Sequence, residues 1–273
     1  MSRFYLTTTI PYVNGDPHIG HALEYIEADA KARYERLKGN DVYFLAGTDE
    51  NALKNVQAAD KAGQPVKQFV EEKSAEFLRL RETLSISFDD FIRTTETRHF
   101  VGAQKFWQQC ATKDIYKKKY KGLYCVGCES FYTEDELESG LCPDHQKTLE
   151  RVEEENYFFR LSNYQRQLED IIGNDVVQVY PDNRKREMLA FIKQGLEDFS
   201  ISRSVERAHG WGVPVPADKG QIMYVWFDAL TNYITALDYT TSQKLFKKYW
   251  DQERQSKRRV SNVLGKGVSR FHM

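Results

Sequence analysis

Hydrophobic and polar positions follow two alternating periods along the first hundred or so residues. Phe4 to Ile10 is a short apolar run of strand type. Val42 to Ala46 is a second, brief and apolar enough for a buried parallel sheet. Between them apolar residues recur at Leu23, Ile26, Ala30, Tyr34 and Leu37. That spacing predicts a helix with Asp16 as its cap, Pro17 in first position and Gly39 at its end. Another helix opens at Pro65 and carries Val66, Phe69, Val70, Phe77, Leu80 and Leu84 on one face. Residues from about 116 to 200 are more polar, as loops and small inserted units are. A further β/α stretch reads as a strand from Gln221 to Trp226, a helix from Phe227 to Leu237 and a strand from Val260 to Leu264. The alternation predicts an α/β fold. Asp49, just past the second strand, falls at the carboxyl edge where open α/β sheets bind ligands.

The chain has 273 residues, of which 41% are hydrophobic, enough for a sizeable core and against global disorder. Its net charge of −1 supplies no overall field toward nucleic acid, so any RNA contact rests on local patches. Two such patches exist, Lys117-Lys-Lys-Tyr-Lys121 and Lys257-Arg-Arg259. Each reads either as a solvated face or as a phosphate contact. Neither a secretory leader nor a long apolar span is expected, which points to a cytoplasmic location and no membrane partner. No GxGxxG follows a strand, so nicotinamide or flavin binding has no positive support.

Candidate chemistry begins at Thr9-Ile-Pro-Tyr-Val-Asn-Gly-Asp-Pro-His-Ile-Gly-His21. His18 and His21 fall on the first turn of a helix, beside its positive end and its unpaired N–H groups, a place suited to phosphate. Gly20 lets a nucleotide approach the backbone. The bland alternative is a capped helix with two incidental histidines. The cysteines add a second element: Cys125 and Cys128 form a CxxC, and Cys142 and His145 a CxxH. Two knuckles at this separation suit one tetrahedral, structural zinc, with disulfides or buried thiols as the competing readings. Cys110 fits no pair and reads as a core residue.

Several motifs then recur in one order across nearly the whole chain. They are Pro11-Tyr12, Asn14-Gly15, His18-Ile-Gly-His21, Gly47-Thr-Asp-Glu50, Asp89-Asp-Phe-Ile-Arg-Thr-Thr95, Gly122-Leu-Tyr-Cys125, Ile201-Ser-Arg203 and Tyr224-Val-Trp-Phe-Asp-Ala229. Together they resemble the methionyl-tRNA synthetases, class I aminoacyl-tRNA synthetases. The resemblance implies a Rossmann-type parallel sheet interrupted by an inserted zinc-binding domain and incomplete at the C-terminus. Residues 1–115 would be the first half, 116–200 the connective insertion with its knuckle at about 120–150, and 201–273 the start of the second half. It further implies ATP, with Mg2+, activating methionine to methionyl-adenylate, and transfer to tRNA(Met).

Residue roles come from the same resemblance. His18, Gly20 and His21 would meet ATP phosphates, and Arg203 would order the loop or the phosphates. Asp49 would take the substrate ammonium with the Ile10 carbonyl. Tyr12, Trp226, Ala229, Tyr233, Val268 and His272 would wall the thioether pocket. His99 and His209 match no role. Three departures stand out: no KMSKS-type lysine loop is present, Asn51-Ala52 stands where the family usually has His-Gly, and Gly267 stands where many members carry aspartate. They keep open an alternative, a catalytically impaired fragment or paralogue that binds methionine, ATP or RNA without completing aminoacylation, and an expected need for a complementary C-terminal segment or partner chain. A zinc-ribbon nucleic-acid module would explain only the knuckle region.

Overall fold

The computed structural model describes residues 2–125, 130–132, 134, 137–144, 146–251 and 258–272. In chain order the elements begin β1 (Arg3–Thr8), α1 (Ile19–Leu37), β2 (Asp41–Thr48), α2 (Leu53–Ala62), α3 (Val66–Thr83), β3 (Asp90–Arg93) and α4 (Thr97–Ala111). They continue with β4 (Ile115–Cys125), β5 (Ser130–Tyr132), β6 (Glu150–Phe159), α5 (Gln165–Gly173), α6 (Asp182–Lys193), β7 (Phe199–Ser200), β8 (Ser202–Ser204) and β9 (Gln221–Met223). The last are α7 (Val225–Leu230), α8 (Asn232–Thr235), α9 (Lys244–Tyr249) and β10 (Arg258–Val263).

A parallel sheet ordered β10-β1-β2-β3 forms the base of the fold. The pleat sends Phe4, Leu6, Phe44 and Ala46 to one face, against Tyr25, Ala28 and Ala32 of α1. Tyr5 and Leu45 go to the other, against Ala236, Leu237 and Tyr249. Both faces are covered, as parallel sheets require. Between α4 and β10 the chain builds an antiparallel sheet, β5-β4-β6-β7, and a two-stranded β8-β9 ribbon. The basic run of β4 lies opposite the acidic run of β6, with Lys119 across from Glu155 and Lys121 across from Glu153. Lys121 Nζ is 2.8 Å from Glu153, and Lys117 Nζ is 3.1 Å from Asp218. This is the solvated, charge-paired face. Of the second basic patch, Arg259 pairs with the buried Glu35 at 2.5 Å, and Lys257 lies outside the described residues.

Three sequence expectations need correction. Helix α1 starts at Ile19 and His18 is its N-cap, while Asp16 pairs with Lys73 at 2.6 Å. The apolar spacing on α1 marked the wrong side: Leu23, Ile26, Tyr34 and Leu37 are exposed, and Tyr25, Ala28, Asp29, Ala32 and Glu35 are buried. The alanines permit close approach to the sheet, and the two acids are satisfied by donors that periodicity does not register. Asp29 accepts from Ser87 and Arg33, and Glu35 from Asn40 and Arg259. Finally, the strand at Gln221 ends at Met223, so Trp226 lies in α7, and the single helix expected over 227–237 is two short ones. Gly39 does end α1, at φ 76°. No described helix is long and apolar enough to cross a membrane.

Candidate active site

The carboxyl ends of the paired parallel strands β1 and β2 lie side by side. Past β1 the chain passes Ile10 and Tyr12 to the N-terminus of α1, and past β2 it reaches Asp49. The backbone N–H of Asp49 donates to the Pro11 carbonyl at 2.8 Å, and Tyr12 bridges Asp49 in parallel register. Asp49 is only 3% exposed. Its carboxylate accepts from the Asn51 backbone N–H at 3.3 Å and lies 3.5 Å from the Thr94 hydroxyl.

At the start of α1 the two histidines cap the helix themselves. His18 Nδ1 accepts from the Gly20 N–H at 3.1 Å, and His21 Nδ1 accepts from the His18 N–H at 3.2 Å. Accepting at Nδ1 leaves the proton of each neutral ring on Nε2, so both rings keep an outward donor. The rings stack at 3.7 Å between centroids. Gly20 is required for this, because a Cβ there would lie 2.9 Å from the His18 ring. Burial, reinforced by His18, pushes His21 down to about 4, so it is a neutral donor near neutral pH. Glu24, one further three-residue step along the helix, binds the Thr9 N–H at 2.7 Å and hydroxyl at 2.5 Å. Burial raises its carboxyl above the ordinary range. Sequence reading passed over Glu24, although its spacing from His21 was there to be read.

An aromatic cluster stands beside Asp49. Trp226 meets Tyr12 edge-on at 6.4 Å, and His272 meets Trp226 edge-on at the same distance. His272 Nδ1–H donates to the Val268 carbonyl at 2.9 Å, leaving Nε2 to accept from the Tyr233 hydroxyl at 2.7 Å. Burial lowers the His272 pKa, which keeps the ring neutral. Ala229 and Tyr233 are buried in the same helical stretch, and Phe271 stacks on Trp226 at 4.1 Å, a wall residue the motifs did not mark. Ring contacts link Tyr12, Trp226, Phe271 and His272, the Tyr233 hydroxyl bonds His272, and Val268 touches His272 through its carbonyl.

Arg203 lies in β8, 6% exposed. It stacks on Tyr224 and Tyr124 and donates to the Ser200 hydroxyl and the Ser202 carbonyl. It thereby joins the β8-β9 ribbon to the end of β4. Of the four cysteine and histidine ligand candidates, Cys128 and His145 lie outside the described residues. Cys125 and Cys142 are buried in one small cluster with Tyr132. Cys142 sits in a tight turn, its carbonyl accepting from the Gln146 N–H and its N–H donating to the Lys147 carbonyl. Two thiols buried in one small cluster fit half of a tetrahedral set. Among the described residues no three metal-binding side chains converge. Cys110 is half-buried, its thiol pushed up to about 11 by burial. His99 is fully buried and His209 is exposed.

The family model of class I tRNA synthetases (M) matches residues 4–152 and 145–273. The chain belongs to this family. The methionine–tRNA ligase of Brucella suis biovar 1 is 46% identical over 99% of the chain, and that of Thermotoga maritima is 43% identical over the same share. The chain spans about half the length of these relatives, 52% and 42% respectively. Among solved structures, Mycobacterium tuberculosis methionyl-tRNA synthetase bound by methionyl-adenylate matches with a TM-score of 0.90 and 41% identity. That match covers 98% of this chain and 52% of the other. The apo form of the same organism's synthetase matches with a TM-score of 0.81 at 37% identity, covering 100% of this chain and 51% of the other. The parallel α/β sheet of this class I synthetase chain is thus shared with relatives seen holding the adenylate.

Proposed function

We propose that this class I synthetase chain carries the methionine-activating site of a methionine–tRNA ligase. The observation that supports it best is the pairing of the Trp226–Tyr12–His272 pocket with the buried carboxylate of Asp49. A soft thioether suits an aromatic, slightly polar pocket, and the ammonium of the same amino acid suits Asp49 and the Ile10 carbonyl. His18 and His21 then face the phosphates of ATP–Mg2+. The substrate carboxylate oxygen attacks the α-phosphorus, the bond to the bridging oxygen breaks, and pyrophosphate leaves. The protein supplies no nucleophile. It supplies alignment and Nε2–H donors placed where phosphoryl charge grows, which can contribute roughly 10²–10³ in rate per donor. Arg203 acts through the ribbon it anchors.

The insertion is proposed as residues 116–200, between halves 1–115 and 201–273. Cys125, Cys128, Cys142 and His145 would hold one zinc, which would order the knuckle. Transfer to tRNA(Met), the cytoplasmic location and a complementary partner chain belong to the same reading. The test is methionine-dependent ATP–pyrophosphate exchange by the zinc-loaded chain, with leucine, isoleucine and cysteine as controls. Exchange with methionine alone is expected. Exchange with leucine or isoleucine, or methionine binding too weak for calorimetry, would refute the reading.

A further inference from the structure

Asn51, Thr94 and Asp228 form one buried polar cluster next to Asp49. Asn51 is 7% exposed and Asp228 fully buried. Asn51 Nδ2 donates to Asp228 Oδ2 at 2.9 Å and to the Thr94 carbonyl at 3.2 Å. The same residue's backbone N–H donates to the Asp49 carboxylate at 3.3 Å. Asp228 sits in α7, two residues beyond Trp226, and its carbonyl takes both the N–H and the hydroxyl of Thr231, at 3.0 and 2.6 Å. The Thr94 hydroxyl oxygen accepts from the Glu50 N–H at 2.8 Å. Asn51 therefore touches Asp49 with its backbone and the Trp226 helix with its side chain.

We propose that Asn51 is a positioning residue that locks the ammonium-binding carboxylate of Asp49 to the aromatic wall through Asp228. The lock sets the affinity for the amino acid and leaves that for ATP untouched. This rests on the methionine-site reading above. The requirement is geometric: an ammonium on Asp49 and a thioether beside Trp226 belong to one substrate of fixed length, so the two walls must hold one separation. A single short donor between buried groups does this well, because removing it costs a desolvated carboxylate one of its hydrogen bonds. The departure from His-Gly at positions 51 and 52 is then chemically conservative. Histidine Nδ1 and asparagine Nδ2 are the same number of bonds from Cα, so either residue can present an N–H at this point.

The experiment uses the full chain and two readouts. In thermal melts, Asn51→Asp should lower Tm by about 5–10 °C, because it sets one buried carboxylate against another. Asp228→Asn should also lower Tm, and the exchanged pair Asn51→Asp with Asp228→Asn should recover part of the loss, since the 51–228 bond is restored with donor and acceptor exchanged while the bond to the Thr94 carbonyl stays lost. Additive losses in the pair would overturn the lock. In pyrophosphate exchange, Asn51→Leu should raise the methionine KM about tenfold with the ATP KM unchanged, and Asn51→His should stay within about threefold of the parent. An unaltered methionine KM in Asn51→Leu, or equal rises in both KM values, would overturn the positioning role. A parent chain that fails to turn over methionine would refute the ligase reading and with it the substrate part of the lock, while the melts still decide the Asn51–Asp228 contact.

Discussion

Lowering the pH should destabilise the fold through His99. The ring is fully buried, with Nδ1 3.0 Å from the Thr235 hydroxyl and Nε2 4.0 Å from Asp228 Oδ1. Burial, helped by the neighbouring Arg98, pushes its pKa from 6.5 to about 3. The unfolded chain therefore binds this proton as the pH falls through 6.5, and the folded chain does not until about 3. Stability from His99 is complete above 6.5 and is lost on the way down, by about 1.4 kcal/mol per pH unit inside that window. Between pH 6.5 and 4.5 the loss is on the order of 2 kcal/mol, a substantial share of the 5–15 kcal/mol typical of a domain. Urea unfolding of the chain and of His99→Asn at pH 7.0, 5.5 and 4.5 measures it. The variant keeps a donor near Thr235 but cannot titrate, so its pH slope should be shallower by about 1 kcal/mol per pH unit or more. His21, Asp29 and Glu35 contribute equally to both proteins and cancel. Equal slopes would refute the argument and mean that Asp228 holds an imidazolium at this position in the folded chain.

Three further outcomes are expected. His21→Ala should slow pyrophosphate exchange by roughly 10²–10³ while methionine binding by calorimetry stays within about threefold; a proportional loss of binding would argue against a phosphate-facing donor. Gly267→Asp, at a position where an added Cβ meets no atom within 4 Å, should fold normally and lower the ATP KM several-fold, as the resemblance implies for a ribose contact; no change in ATP KM would remove that role. Cys142→Ser should lose the roughly one zinc per chain measured by atomic emission and lower Tm, since structural zinc contributes folding free energy directly; retention of full zinc content would refute the ligand set.

The parts of the fold legible in the sequence were those set by local chemistry. The strands at Phe4 and Val42 and the helix after Pro65 lie where apolar runs and a helix-opening proline placed them. Tyr12, Asp49 and Trp226, which the motifs marked without any knowledge of which elements pack together, do lie next to one another. What was hidden depended on distant partners. The buried side of α1 is lined by Asp29 and Glu35, and nothing local announces that Ser87 and Arg259 will reach them. The strand expected to run through Trp226 stops early because the Tyr224 carbonyl accepts from the N–H groups of Phe227 and Asp228, opening a helix. Phe271 and Glu24 were visible as residues but not as neighbours of Trp226 and Thr9, contacts made only when the chain returns.

The parallel pairing of β1 with β10 has a consequence for how the chain comes off the ribosome. Thr7 and Asn262 share a hydrogen bond although 255 positions separate them. The first three strands and α1 can assemble early, but the outer edge of β1 then stays open through synthesis of the whole intervening segment. Phe4, Tyr5 and Leu6 on that strand are almost completely buried in the finished fold. During translation they present an apolar strand with unpaired backbone groups, the kind of edge that recruits stray strands. Long-range closure of this sort is also slow. Yield of folded chain in cells should therefore track chaperone supply and translation temperature more closely than the equilibrium stability of the finished sheet.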